Sequence, residues 1–312
     1  MPSPNLTVRG VRAAVVLAAC VALTAVLGWA SARRRPRFPA RPADALSGSA
    51  LEDALTRAQA RLEKDPEDLK ARVDLGVLYA QKGGEASVDA INELETAREQ
   101  GSTDPDLPYY LGVLYQGEGL PAFALREYQR FLRTHPGHKE TELLLAKLLY
   151  QTGKYKDAAD RYESLRARFP KDPIVLENYG LSLLAARDLD RAREMFSALR
   201  ERGGEPGRRA QYFLGNVALS ASDYKEALKA YAAALPQGSE PPAGLGSAQV
   251  YAGLALASEG LGRGDLAMKA WTHVLEREPE NLQAQARLIE LRSPRFLKKG
   301  VALQRTRKSA KT

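Results

Sequence analysis

The chain of 312 residues contains one cysteine, three histidines and two tryptophans, and only 7% of it is aromatic. A lone cysteine cannot close an internal disulfide, which excludes a stapled secreted scaffold and a Cys-rich zinc or iron–sulfur domain. Metal ligands are equally scarce: His135 and His138 flank Pro136-Gly137, and His273 lies far along the chain with no cysteine nearby. No P-loop, HExxH or GxSxG sequence occurs, so the chain is not expected to be an enzyme or to hold a metal or cofactor. Gly260-Leu261-Gly262-Arg263-Gly264 falls between two expected helices and not after a strand, which makes it an inter-helix turn, not a dinucleotide loop.

What remains is ordinary globular chemistry, 44% hydrophobic and 27% charged. The 46 basic and 38 acidic residues leave a net charge of +8, and its location decides what it means. Seven arginines and no acid lie in residues 1–43, and seven basic residues and no acid in 293–312. Residues 44–292 therefore hold 32 basic against 38 acidic residues, a net charge of −6. A mildly acidic central region argues against a nucleic-acid partner, and the charge belongs to the two ends.

Residues 1–12 read as a short tail, and Ala13 to Ala32 as twenty uncharged residues, enough helix to cross a bilayer core at about 1.5 Å per residue. Trp29 and the arginines at 33, 34, 35, 37 and 41 sit where membrane-flanking residues are favoured. Three fates stay open for this segment. One is a retained anchor; another is a signal peptide cleaved after Ala30-Ser31-Ala32. The third is a lipoprotein acylated at Cys20, because Leu17-Ala18-Ala19-Cys20 resembles the bacterial lipobox. The leading expectation is a single-pass protein of the bacterial inner membrane, with flanking arginines favouring a cytoplasmic carboxyl side. Residues 33–50 read as a basic, proline-rich linker. Residues 293–312 read as a basic disordered tail, able to contact anionic lipid if cytoplasmic.

Between these ends a period appears. From Gly112, residues Tyr115, Ala124, Tyr128 and Pro136 follow at intervals of 3, 12, 16 and 24. Ala146, Ala158, Tyr162 and Pro170 keep the last three intervals, and copies recur through Gly180–Phe196, Gly215–Tyr231 and Ala255–Pro279, with a looser one at Gly76–Ala97. This spacing resembles the tetratricopeptide repeat, a 34-residue helix-turn-helix with L-G-x2-Y, A-x3-F and P. The resemblance implies an all-α, right-handed superhelical solenoid of about six repeats over residues 51–292, behind an N-terminal transmembrane helix. Helices are expected near 69–82, 86–100, 106–117, 121–134, 140–152, 155–168, 174–186, 189–202, 208–221, 224–236, 246–261 and 264–277, with capping helices at 51–64 and 282–292. Small residues at the eighth and twentieth positions should let paired helices approach, while Leu94, Tyr128, Tyr162, Phe196, Tyr231 or Trp271 fills the gap.

In this family the concave wall is built by first-helix positions 2, 5, 9 and 12. Here these include Val73, Val77, Tyr109, Val113, Gln116, Lys147, Tyr150, Leu181, Leu184, Tyr212, Asn216 and Leu219. The family's carboxylate-binding version needs clustered lysines and asparagines, of which only Lys147 and Asn216 match in type. An apolar wall instead suits an extended or helical protein segment. Equally open is that several of these side chains simply pack against the next repeat. The expected function is a membrane-anchored scaffold that holds a partner in its groove during envelope or membrane complex assembly. The alternative is a lipoprotein resembling the six-repeat pilotins that help type IV pilus secretins assemble.

Overall fold

The structure, a computed structural model, describes residues 46–235 and 246–293. Its described residues form fourteen α-helices and no strand. They divide into two compact units, Met1–Pro136 and Gly137–Thr312. The first unit contains α1 (Gly48–Lys64), α2 (Leu69–Lys82), α3 (Ala86–Glu99), α4 (Leu107–Gly117) and α5 (Pro121–Thr134). The second contains α6 (Lys139–Gln151), α7 (Tyr155–Arg168), α8 (Pro173–Ala185), α9 (Leu189–Arg200), α10 (Gly204–Ser220), α11 (Tyr224–Ala234), α12 (Ser247–Gly260), α13 (Gly264–Arg277) and α14 (Leu282–Arg292). Within each unit every helix packs on the next one along the chain. The first unit thus holds two tetratricopeptide-like helix pairs, α2–α3 and α4–α5, preceded by α1, and the second holds four, α6–α7 to α12–α13, followed by α14.

Local chemistry starts and stops these helices at a fixed register. Asp68, Asp172, Asp188, Asp223 and Asn281 precede their helices and accept backbone N–H bonds from the first turn, as at Asp68 with Ala71 (2.9 Å) and Asn281 with Ala284 (3.0 Å). First helices end in a left-handed residue seven positions after the eighth, at Gly83, Gly119, Gly153 and Gly262. Arg187 (φ 67°) and Ser222 (φ 61°) hold the same conformation without glycine's freedom. The following N–H then closes the helix end, as Lys154 does on the Leu149 carbonyl (2.9 Å) and Asp188 on that of Leu183 (2.9 Å).

The expected knob and hole are present. A Cβ placed on Gly112 would lie 2.6 Å from the Tyr128 ring, and one on Gly180 2.6 Å from Phe196. Both rings are fully buried. Tyr231 is held on two sides, since a Cβ on Gly215 would approach it to 2.6 Å and one on Gly253, from the next repeat, to 2.5 Å. The Gly253 contact is absent from the spacing rules because it depends on the stacking of two repeats.

Two expectations need correction here. Helix α10 begins at Gly204, four residues before the expected start. Pro206 is tolerated in its first turn, and Gly207 runs against the Arg200 carbonyl, where a Cβ would come within 2.9 Å. The membrane localisation is the second. Among the described residues no helix is long and apolar enough to cross a membrane. The longest, α1 and α10, have 17 residues and carry charges such as Glu52, Asp53, Arg57 and Arg61, or Glu205, Arg208 and Arg209. Residues 13–32, Cys20 and nearly all of the tail 293–312 lie outside the described residues. The linker expected to reach residue 50 already gives way to helix at Gly48.

Candidate functional site

First-helix positions at the expected spacing meet different fates in the two units. In the first, Val73 and Val77 on α2 and Tyr109 on α4 are interior, with 4%, 6% and 0% exposure. Tyr109 packs its ring 5.4 Å from that of Phe131 and 6.0 Å from that of Tyr110. Those three side chains belong to the core, and only Val113 and Gln116 of the candidate positions there are half-buried.

The second unit keeps more of its wall open. Leu181 and Leu184 on α8, and Tyr212, Asn216 and Leu219 on α10, are half-buried, and Lys147 on α6 is exposed. Leu143, Leu181, Leu184 and Tyr212 rest on one buried cluster that includes Val175, Leu176, Tyr179 and Phe213. Tyr212 and Leu219 continue onto the next, built around Ala218, Tyr231 and Val250. Tyr150 on α6 is half-buried and makes an edge contact with Tyr155 at 5.3 Å. Burial, with Tyr155 beside it, pushes its phenol above the ordinary range.

Several polar positions are already committed inside the fold. The Tyr231 hydroxyl donates to Asn216 Oδ1 at 2.7 Å, and Tyr128 makes the same bond to Gln116 Oε1 at 2.7 Å. The Trp271 indole donates to Glu259 Oε1 at 2.6 Å, and Arg287 also pairs with Glu259. These three knob rings thus carry a polar tip whose partner stands on the first helix, because a buried hydroxyl or indole N–H is costly to leave without one. Asn216 therefore serves the core through its oxygen, a role the groove register did not reveal. Sequence held the signal at these three: the polar partner lies on the first helix of the same pair, 12 or 15 residues before the knob.

Charge on this wall is also largely paired. Arg209 bridges from α10 to Glu177 on α8. Burial raises the Glu177 carboxyl above its usual range, and Arg209 offsets part of that rise. Lys139 reaches Asp172. Burial opposes the Asp172 charge, but hydrogen bonds from Lys139 and from the N–H groups of Val175 and Ile174 outweigh it and draw the carboxyl down.

In the first unit a charged node takes a structural place. Glu127 on α5 is 5% exposed and accepts from Arg98 on α3 at 3.1 Å, while Arg130 lies 3.3 Å away. Arg98 also pairs with Glu95, which accepts from the Tyr115 hydroxyl. Burial and that carboxylate push the Tyr115 phenol up.

The histidines serve structure. His138 accepts the Thr141 N–H at the start of α6, His135 stacks on Phe131 at 4.3 Å, and His273 meets Glu276 at 2.8 Å. Among the described residues no group of three or more His, Cys, Asp or Glu is placed to hold a metal ion. A cleft of about 750 Å³ lies at the turn edge of the second unit, lined by Lys156, Asp160, Leu183, Arg187, Asp188 and Arg193, among others.

Comparison with known proteins agrees with this architecture. Residues 109–173, 143–206 and 180–242 match the tetratricopeptide repeat family in overlapping windows. Among solved structures, the APC/C hetero-tetramer Cut9–Hcn1 aligns with a TM-score of 0.50 and 18% identity, over 78% of this chain and 46% of the other. The chain thus spans less than half the length of that relative. YrrB, described as a TPR protein with an unusual peptide-binding site, aligns with a TM-score of 0.50 and 19% identity over 58% of this chain and 92% of its own. PilF of Pseudomonas aeruginosa aligns with a TM-score of 0.50 and 22% identity over 73% and 99%. Such identities establish the fold alone. No curated protein sequence matches the chain. Residues 109–242, the span matched by the family model, thus consist of tetratricopeptide repeats, and the glycine-and-aromatic packing follows the same register at Gly76 before them.

Proposed function

We propose that the second unit is a protein-interaction module, whose first-helix wall receives an extended or helical segment of a partner through apolar anchors. The observation that carries this reading is the exposure pattern: Tyr212 at position 5 stays half-open where the first unit buries Val73 and Tyr109, and Leu181 at position 9 and Leu184 and Leu219 at position 12 are half-open beside it. Lys147, exposed on α6, supplies a charged point beside them for orienting the segment. Tyr212 suits an anchor because a rigid aromatic gives large contact area at small conformational cost. YrrB, with its peptide-binding site, is a precedent for peptide capture on this fold. A binding role also fits a chain whose buried polar groups are spent on packing.

Affinity purification of the full chain tests the reading by comparing wild type, Leu184→Glu/Tyr212→Ala and the outer-face control Arg193→Ala. All three should give the same helical circular dichroism. The double variant should lose a partner that wild type and Arg193→Ala both retain. An identical partner set in all three removes this wall from the account.

A further inference from the structure

A cavity of about 140 Å³ opens in the first unit between α3, α4 and α5. Arg98 from α3 and Arg126 and Arg130 from α5 line it, together with the carboxylates of Glu95 and Glu127. Tyr115 and Phe123 complete the lining, with their rings 5.3 Å apart. None of these side chains stands at first-helix positions 2, 5, 9 or 12, so the cavity is no part of the groove register. It also lies wholly within the first unit and is independent of the wall on α8 and α10.

Arg126 and Arg130 stand four residues apart on α5, a spacing at which like charges repel. Three guanidinium groups on one small cavity need compensation, and the two carboxylates supply it only in part. Glu127, almost fully buried, takes Arg98 at 3.1 Å and Arg130 at 3.3 Å. Glu95 takes Arg98 a second time and accepts from the Tyr115 hydroxyl. Among the described residues no carboxylate pairs with Arg126, whose guanidinium lies over the Phe123 ring, 4.7 Å from its centroid. One positive charge is therefore left uncompensated, and it is the one on Arg126. A carboxylate balances it. A phosphate, with about −1.5 to −2 charge at neutral pH, would leave negative charge in excess beside buried Glu127. Donors are in place as well. Arg130 meets Glu127 through Nη1, which leaves its Nε–Nη2 edge as a donor pair of the shape a carboxylate takes. Glu127 and the Phe123 ring hold these guanidinium groups before a ligand arrives, which reduces the ordering cost of binding. Phe123 is 44% exposed, and Leu120 at the N-cap of the same helix is 42% exposed, so apolar surface accompanies the charge.

We propose that this cavity binds the side-chain carboxylate of an acidic, apolar-flanked segment of a partner protein, held by Arg126 and Arg130 and packed on Phe123. Nuclear magnetic resonance of the arginine Nε–H groups of the full chain tests this with three probes: the peptide acetyl-Leu-Glu-Leu-amide and its analogues with glutamine or phosphoserine at the centre. The glutamate peptide should shift the Arg126 and Arg130 signals saturably. The glutamine peptide should bind about tenfold more weakly, the weight of one charge-assisted hydrogen bond. Arg126→Gln should weaken the glutamate peptide by about the same factor. Its helical circular dichroism and thermal midpoint should match wild type, because the side chain is exposed and makes no ion pair. Arg133→Gln, exposed on the same helix but outside the cavity, should bind as wild type does. Equal binding of the glutamate and glutamine peptides overturns the proposal, as does undiminished binding by Arg126→Gln or an equal loss in Arg133→Gln. Tighter binding of the phosphoserine peptide also overturns it, by assigning the cavity to a phosphate.

Discussion

The two units use one helix register and spend it differently. In the first, positions 5 and 9 of the repeat bury Val73, Val77 and Tyr109, while a buried carboxylate at Glu127 gathers Arg98 and Arg130. In the second, Tyr212 at position 5 and Leu181 at position 9 are half-open, as are Leu184 and Leu219 at position 12. Spacing therefore identifies a face, and the neighbours that pack on it decide whether it is offered or consumed. A tyrosine at a groove position is an anchor for a ligand only where packing leaves part of its ring open: Tyr109 is fully buried with Phe131 of the paired helix at 5.4 Å, whereas Tyr212 stays half-open with Tyr231 at 5.8 Å.

That contrast can be broken by paired substitutions. Tyr109→Ala should destabilise its unit by about 3–5 kcal/mol, the range for removing a fully buried aromatic, read as a lower urea midpoint. Tyr212→Ala should cost about 1–2 kcal/mol, because part of its area already faces water. Equal losses would mean that the two faces do not differ in the way described. Next in size is Asn216→Ala, which leaves the Tyr231 hydroxyl without its 2.7 Å acceptor inside the core. We expect a loss of about 1–3 kcal/mol, and Asn216→Ala/Tyr231→Phe should recover most of it. A double variant no more stable than the single would show that the two groups are not coupled.

The smallest effect lies at the turns, where both units place glycine but the second twice does without it. Arg187→Gly and Ser222→Gly should each stabilise by about 1 kcal/mol, because the left-handed conformation penalises a Cβ there. Gly153→Ala, in an equivalent turn, should destabilise by about the same amount. Thermal midpoints of the three variants check the sign, and no rise for Arg187→Gly would mean that its side chain compensates the strain.

Much of this was legible in sequence because the repeat encodes local and nearest-neighbour rules. Helices α5, α7, α13 and α14 begin and end at the expected residues, since the left-handed turns at Gly119, Gly153 and Gly262, Pro121 and the Asn281 N-cap act within a few positions. The glycine-to-ring contacts were legible for the same reason, because a hole at the eighth position and a knob sixteen residues later belong to one helix pair. Other features escaped. Gly253 against Tyr231 joins two repeats, and the Glu127 cluster joins three helices, so neither has a fixed interval to announce it. Asn216 was read as a groove residue, although its oxygen satisfies a buried hydroxyl.

The sequence by itself determined the helix pairs, their register and the family to which the repeats belong. Each rests on interactions between residues within about one repeat, which a fixed period of small, aromatic and proline residues records. Only the tertiary structure decided which groove positions remain open, because exposure is a property of three-dimensional packing. Tyr109 and Tyr212 occupy the same wall in sequence, and the difference between a core ring and a candidate anchor is what the neighbouring helix sets against each.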